Sequence, residues 1–160
     1  MAWLDALFSG MSALAAAGWV VLLLGRRWPR LQRLVCAVII PALLALAYAA
    51  LYPALYFQSP GGYASIDDLR LLLNAERGVV LAAWLHYLAF DLLVGWWMGQ
   101  DSRRHMIPHS YVVPCQLLTF LFGPLGWLAY MAVRAYALWR TGHSLRARKA
   151  TQWKSHACEP

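Results

Sequence analysis

Four long apolar stretches, parted by short clusters of charge, set the pattern of this chain. Ala6 to Gly25 and Leu34 to Phe57 hold no charged residue. Gly78 to Gln100 is interrupted only by Asp91, and Met106 to Val133 carries His109 near its start and Pro114 and Pro124 along it. A helix needs about 20 apolar residues to cross roughly 30 Å of hydrocarbon. The pattern predicts an all-α integral membrane protein, a four-transmembrane-helix bundle with spans near 3–25, 34–57, 78–100 and 107–137. These make a membrane domain over 1–139, followed by a basic C-terminal tail at 140–160.

A cleaved signal peptide competes for the first run, since Ala15, Ala16 and Ala17 imitate a cleavage site. Asp5 and the lack of Lys or Arg ahead of the run favour a retained span, as does its continuation past the alanines. Pro41 and Pro53 in the second run are tolerable in a membrane helix whose neighbours satisfy the freed carbonyls. Tyr52 and Tyr56 then sit at the interface.

The loop from Gln58 to Arg77 opens with Ser59-Pro60-Gly61-Gly62. Ser65-Ile66-Asp67-Asp68 then has the form of a capping box, with two acids at the positive end of a helix. Ile66, Leu69, Leu72 and Leu73 share one face, which predicts a short amphipathic helix in the second loop, lying on the membrane surface. An extension of the third span fits the same pattern.

Charge sets the orientation and then conflicts with it. Arg26, Arg27, Arg30 and Arg33 make the first loop cytoplasmic, and Arg103 and Arg104 agree with that. With four spans, the tail carrying Arg140, Arg146, Arg148, Lys149 and Lys154 falls outside, against the positive-inside rule. Either the first loop dominates, or the Phe122-Gly123-Pro124-Leu125-Gly126 break makes the fourth run kinked or re-entrant.

Composition narrows the class. The 160 residues are 61% hydrophobic and 13% charged, with a net charge of +7. Soluble domains run about 45–50% apolar and about 25% charged, so disorder, a disulfide scaffold and an ordinary cytosolic enzyme are excluded. The basic balance is what spans and anionic lipid require, and no basic module for nucleic acid is present. Cys36, Cys115 and Cys158 have no CxxC spacing and read as free thiols.

Asp91 stands out because a charge inside a span is costly and faces the bundle interior. Helical spacing puts Glu76, Trp84, Tyr87 and Asp91 on one side of the third helix. Asp91 is a general-acid candidate or an interhelical partner of Arg103, Arg104 or a tyrosine. His86 lies about 140° away on the same helix and is a packing residue or a base. His105 and His109 have a metal-compatible spacing but Pro108 between them, and no metal or cofactor is expected. Arg103 and Arg104 anchor to head groups or hold a substrate oxygen, and Gln116 is available to the same network. No GxSxG, P-loop, GxGxxG or HExxH pattern occurs.

Ala83-Trp84-Leu85-His86-Tyr87-Leu88-Ala89-Phe90-Asp91-Leu92 resembles the Trp-x-His-x-x-Ala-x-Asp signature of the abscisic acid-deficient four-like membrane family. Ile107-Pro108-His109-Ser110, Cys115 and Phe122-Gly123-Pro124-Leu125-Gly126 resemble its next block. Plant relatives are plastid proteins needed to make neoxanthin from violaxanthin. In that isomerisation an epoxide opens, a neighbouring carbon loses a proton, and an allene and a hydroxyl form. The resemblance implies His86 and Asp91 as the acid/base pair, with Trp84 and His109 in or near the pocket; the residues themselves add Glu76 as an alternative base and Tyr87, Arg103, Arg104 and Gln116 as substrate-binding candidates. Relatives commonly carry a basic residue near the position of Trp96.

The expectation is a membrane protein that binds, and isomerises or cyclises, a carotenoid-like or other isoprenoid lipid. A non-catalytic membrane subunit that binds lipid or a protein partner is the alternative. With no transit peptide expected ahead of the first span, the sequence reads as a bacterial inner-membrane protein. A thin bundle of this size invites homo-oligomerisation.

Overall fold

The computed structural model describes residues 2–156, with side chains described through Thr141. Among the described residues every regular element is helical. Three helices are long and apolar enough to cross a membrane: Ala2–Arg27, Pro29–Tyr56 and Arg77–Arg104. The chain divides into two compact units, one reaching to Trp97 and the other starting at Met98.

In the first unit, α1 (Ala2–Leu24) ends in a 3-10 turn at Gly25–Arg27. Pro29, which has no N–H to lose, opens α2 (Pro29–Leu34), a favourable place for proline. A π turn at Val35–Ile39 then leads into α3 (Ile40–Tyr56), with the Ile40 N–H bonded to the Val35 carbonyl. The wider turn lies just ahead of Pro41, where an ordinary helical ladder loses a donor. Helix therefore persists from Pro29 to Tyr56 despite two prolines.

Contacts fix the directions of these helices. Buried Gln32 Nε2 donates to the Leu22 carbonyl at 2.6 Å, and Cys36 Sγ donates to the Gly18 carbonyl at 3.3 Å. Rising numbers meet falling ones, so α1 and the α2–α3 rod are antiparallel. Between α1 and α5 (Arg77–Arg104) the numbers rise together: Asp5 pairs with Arg77, Ser12 with Trp84, and Gly95 lies against Trp19 and Leu22. Those two helices are parallel. Ala15, Trp19, Leu22, Ile40, Leu44, Leu85 and Leu92 fill the seam among them.

The loop after α3 carries α4 (Ile66–Ala75). Ser65 caps it: its Oγ accepts the Asp68 N–H at 3.0 Å and donates to Asp68 Oδ2 at 2.8 Å. Gly61 has φ +89, and a Cβ there would overlap the Asp68 carbonyl, so the loop lies against the helix only because it has none. At Glu76 the chain is extended, with φ −137 and ψ 130, before α5 begins at Arg77. Glu76 therefore does not share a helical face with Trp84, Tyr87 and Asp91, contrary to the spacing argument.

The second unit contains the end of α5, then α6 (His109–Phe122) and α7 (Pro124–His156). Here the expected single span over 107–137 is two helices, not one. Gly123 takes φ 53 and ψ −108, conformations that suit glycine, and Pro124 cannot donate back into α6. The chain reverses, and α7 packs along α6. A Cβ on Gly126 would overlap the Thr119 nitrogen and lie 2.5 Å from the Cys115 carbonyl, a closeness impossible in one straight rod. At about 21 Å, α6 is also too short to cross the hydrocarbon. The expected tail from 140 starts within α7; Arg146, Arg148, Lys149 and Lys154 have no described side chains, and Cys158 lies outside the described residues.

Candidate functional site

The α3 tyrosines recur at every fourth residue, so they form a ladder on one face. Tyr48 and Tyr52 stack with ring centroids 5.1 Å apart and planes 9° apart, and Tyr52 meets Tyr56 at 5.4 Å. The loop returns Tyr63 onto Tyr56 at 5.8 Å, and the Tyr63 and Tyr52 hydroxyls hydrogen-bond to each other. Across from them, His86 of α5 lies 5.7 Å from the Tyr48 ring and stacks on Phe90 at 4.6 Å. Leu69, Leu72 and Leu73 of α4 close the other side. Together with Val79 and Ala83 these groups line a pocket of about 300 Å³. It is apolar in bulk, with phenol hydroxyls and one imidazole as its polar groups.

The opposite side of α5 faces α1. Trp84 Nε1 donates to Ser12 Oγ at 3.0 Å, and its ring meets Phe8 at 6.0 Å and Tyr87 at 5.5 Å. Leu4, Phe8, Val80 and Trp84 line a second pocket of about 380 Å³, with the Asp5–Arg77 ion pair at its edge. One turn beyond Tyr87 is Asp91, whose carboxyl receives the Tyr87 hydroxyl. Its Oδ2 is buried and has no hydrogen-bond partner among the described residues.

The second unit holds the densest polar cluster. Asp101, 7% exposed, accepts at Oδ2 from the Tyr130 hydroxyl at 2.7 Å and from Arg134 Nε at 2.8 Å. His105 Nδ1 lies 2.9 Å from the Asp101 carbonyl and 3.3 Å from Oδ1, and its Nε2 is 3.4 Å from Arg134 Nη2. The cluster joins the end of α5 to the first third of α7. Beside it, His105, Ile107, Tyr111, Tyr136 and Arg140 contribute to a pocket of about 490 Å³. Met106, with φ 54, makes the tight turn that separates His105 from α6.

The expected residues thus fall into three places. Trp84, Tyr87 and Asp91 share the α1-facing side, as the helical spacing predicts. His86 stands alone among them in the tyrosine pocket, turned about 140° and displaced about 7.5 Å from Asp91. Glu76 is exposed at the joint before α5. Arg103 and Arg104 close α5, about 18 Å along the axis from Asp91, beyond the reach of an ion pair with it. Gln116 is buried on α6 near Gly99, and His109 begins α6. His105 and His109 are parted by the Met106 turn, and among the described residues no three His, Cys, Asp or Glu side chains gather as metal ligands.

Two groups escape a reading of the sequence. Tyr48 and Tyr63 carry no charge, and the ladder of Tyr48, Tyr52 and Tyr56 passes for an interfacial aromatic belt. Asp101–His105 and Tyr130–Arg134 are each readable as pairs four apart, but nothing local links one pair to the other.

A family model described as ABA DEFICIENT 4-like matches residues 6–130. No curated protein and no solved structure matches the chain.

Proposed function

The chain belongs to the ABA DEFICIENT 4-like family, and from that we propose that it binds the ring end of a carotenoid-like or other isoprenoid lipid and isomerises or cyclises it by proton transfer. The family relation supports a carotenoid-related membrane protein. The pocket of about 300 Å³ walled by Tyr48, Tyr52, Tyr63 and His86 carries the finer reading. Flat aromatic walls suit a conjugated ring, aliphatic surface suits its methyl groups, and the hydroxyls suit a ring oxygen. The pocket lies where α3 ends and α5 begins, at the rim of two spans, so a polyene tail runs from it into the bilayer.

The chemistry implied by the family needs a proton given to an epoxide oxygen as its carbon–oxygen bond breaks. A second group takes the proton from the neighbouring carbon as the allene forms, so no net redox change occurs. In this pocket the Tyr52–Tyr63 hydroxyl pair is the donor and His86 the acceptor. Asp91 faces the other side of α5, so the reading gives it the task of holding Tyr87 instead of touching substrate. α4, resting its apolar face on the pocket, excludes water.

The separation of His86 from Asp91 also favours a second reading, a non-catalytic subunit that holds the lipid without converting it. Protein purified from its native host in mild detergent separates these. The visible absorption spectrum and mass spectrometry of the organic extract should show a stoichiometric polyene, lost in Tyr52→Phe/His86→Ala. Phospholipid alone, unchanged by the variant, overturns the binding proposal. Polyene retained by wild type but no rearranged product from an added epoxide selects the non-catalytic subunit.

The hairpin supports one orientation. Asp101 binds Arg134, so α7 returns to the level at which α5 ends. With the end of α5 cytoplasmic, Arg103, Arg104 and Arg140, all in the second unit, meet the positive-inside rule. A bacterial inner membrane is the proposed location.

A further inference from the structure

We infer that the pocket between the α5–α6 turn and α7 is a binding site for one anionic phospholipid, separate from the tyrosine pocket and independent of what occupies it. Its volume, about 490 Å³, suits a lipid segment better than a lone ion. Its walls are graded. Ile107, Val133 and Ala137 form an apolar stretch, Tyr111 and Tyr136 are amphipathic and mostly exposed, and Arg140 stands as the cationic group. Val133, Tyr136, Ala137 and Arg140 lie on one face of α7 because they recur at three- and four-residue steps. Arg140 therefore ends a strip about 10 Å long. Acyl chain against the strip and phosphate against Arg140 is the charge-complementary occupancy.

The Asp101 cluster decides which arginine the pocket keeps. His105 is held at Nδ1 by the Asp101 carbonyl at 2.9 Å, and Arg134 is held on Asp101 at 2.8 Å. Asp101 thereby consumes the charge of Arg134 and leaves Arg140 as the pocket's own arginine. Basic pockets at helix ends on the cytoplasmic side are suited to anionic head groups, and the orientation above puts this one there.

The test is native mass spectrometry of the full chain released from micelles with equal phosphatidylglycerol and phosphatidylcholine. One phosphatidylglycerol should be retained preferentially. Arg140→Gln should weaken that retention roughly tenfold, the scale of one charge-assisted contact. Ala137→Phe should weaken both lipids by filling the strip, and far-ultraviolet circular dichroism should show wild-type helix in both variants. Equal retention of the two lipids, or no effect of Arg140→Gln, overturns the proposal. Displacement of phosphatidylglycerol by millimolar inorganic phosphate alone also overturns it, because the pocket then recognises a free anion. The Tyr52→Phe/His86→Ala variant should retain phosphatidylglycerol as wild type does, which separates this site from the polyene pocket.

Discussion

Asp101→Asn is the most informative single change, because its cost is readable from two distances. Asp101 Oδ2 accepts from Tyr130 at 2.7 Å and Arg134 at 2.8 Å, and Tyr130 is fully buried. Asparagine can keep an oxygen in that place, so the geometry survives and only the charge goes. Hydrogen bonds to a charged group contribute about 1.5–3 kcal/mol against about 1 kcal/mol for neutral ones. Two such bonds lose about 2 kcal/mol together. The Arg134 side chain is 32% exposed, so water recovers part of its share. Asp101→Ala removes the acceptor and orphans the buried Tyr130 hydroxyl, so about 4 kcal/mol is expected there. Unfolding of purified protein by titrating dodecyl sulfate into mild-detergent micelles, followed by circular dichroism, measures both. Arg134→Gln combined with Asp101→Asn should show a coupling of about 1 kcal/mol. Strict additivity, or an Asp101→Asn variant as stable as wild type, would falsify the cluster as the clamp between α5 and α7.

Three further outcomes follow from the same geometry. Gly126→Val sets a Cβ against the Thr119 and Cys115 backbone, which cannot yield as a side chain can, and should cost about 3 kcal/mol in that unfolding assay; a neutral result would mean α6 and α7 do not pack this way. Ser65→Ala removes the α4 cap and should cost about 1 kcal/mol, seen as faster amide exchange over Ile66–Ala75, with unchanged exchange counting against the cap. In a background lacking native cysteines, Arg104→Cys and Thr141→Cys should react with a membrane-impermeant maleimide only in inverted vesicles, and Ala64→Cys only in intact cells; labelling of position 141 with position 64 would restore a fourth full crossing.

What the sequence made legible was local. Apolar runs located three rods long and apolar enough to cross a membrane, and Ser65 to Asp68 marked the start of α4, because both signals depend on neighbours a few residues away. Even Gly123-Pro124 was visible as a break. Whether the chain kinks or reverses there depends on Gly126 fitting against Cys115 and Thr119, a contact between residues that a straight helix keeps apart. The failure at Glu76 has a similar origin. Periodicity extends a helical face backward indefinitely, whereas the chain takes an extended conformation at that residue to leave α4.

The same limit shaped the candidate site. Spacing correctly grouped Trp84, Tyr87 and Asp91, but it could not say which helix that side meets. α1 meets it, through Ser12 and Phe8, and this turns His86 toward α3 and its tyrosines. A charged residue in a span attracts attention because burial is costly, yet that cost says only that the carboxyl must be accommodated. The Asp91 carboxyl receives the Tyr87 hydroxyl from its own helix. His86 stacks on Phe90 of its own helix and meets the Tyr48 ring, and with Tyr52 and Tyr63 it lines an open pocket. The open volume beside His86 and the phenol hydroxyls, more than the buried acid, is therefore what the proposed ring site rests on.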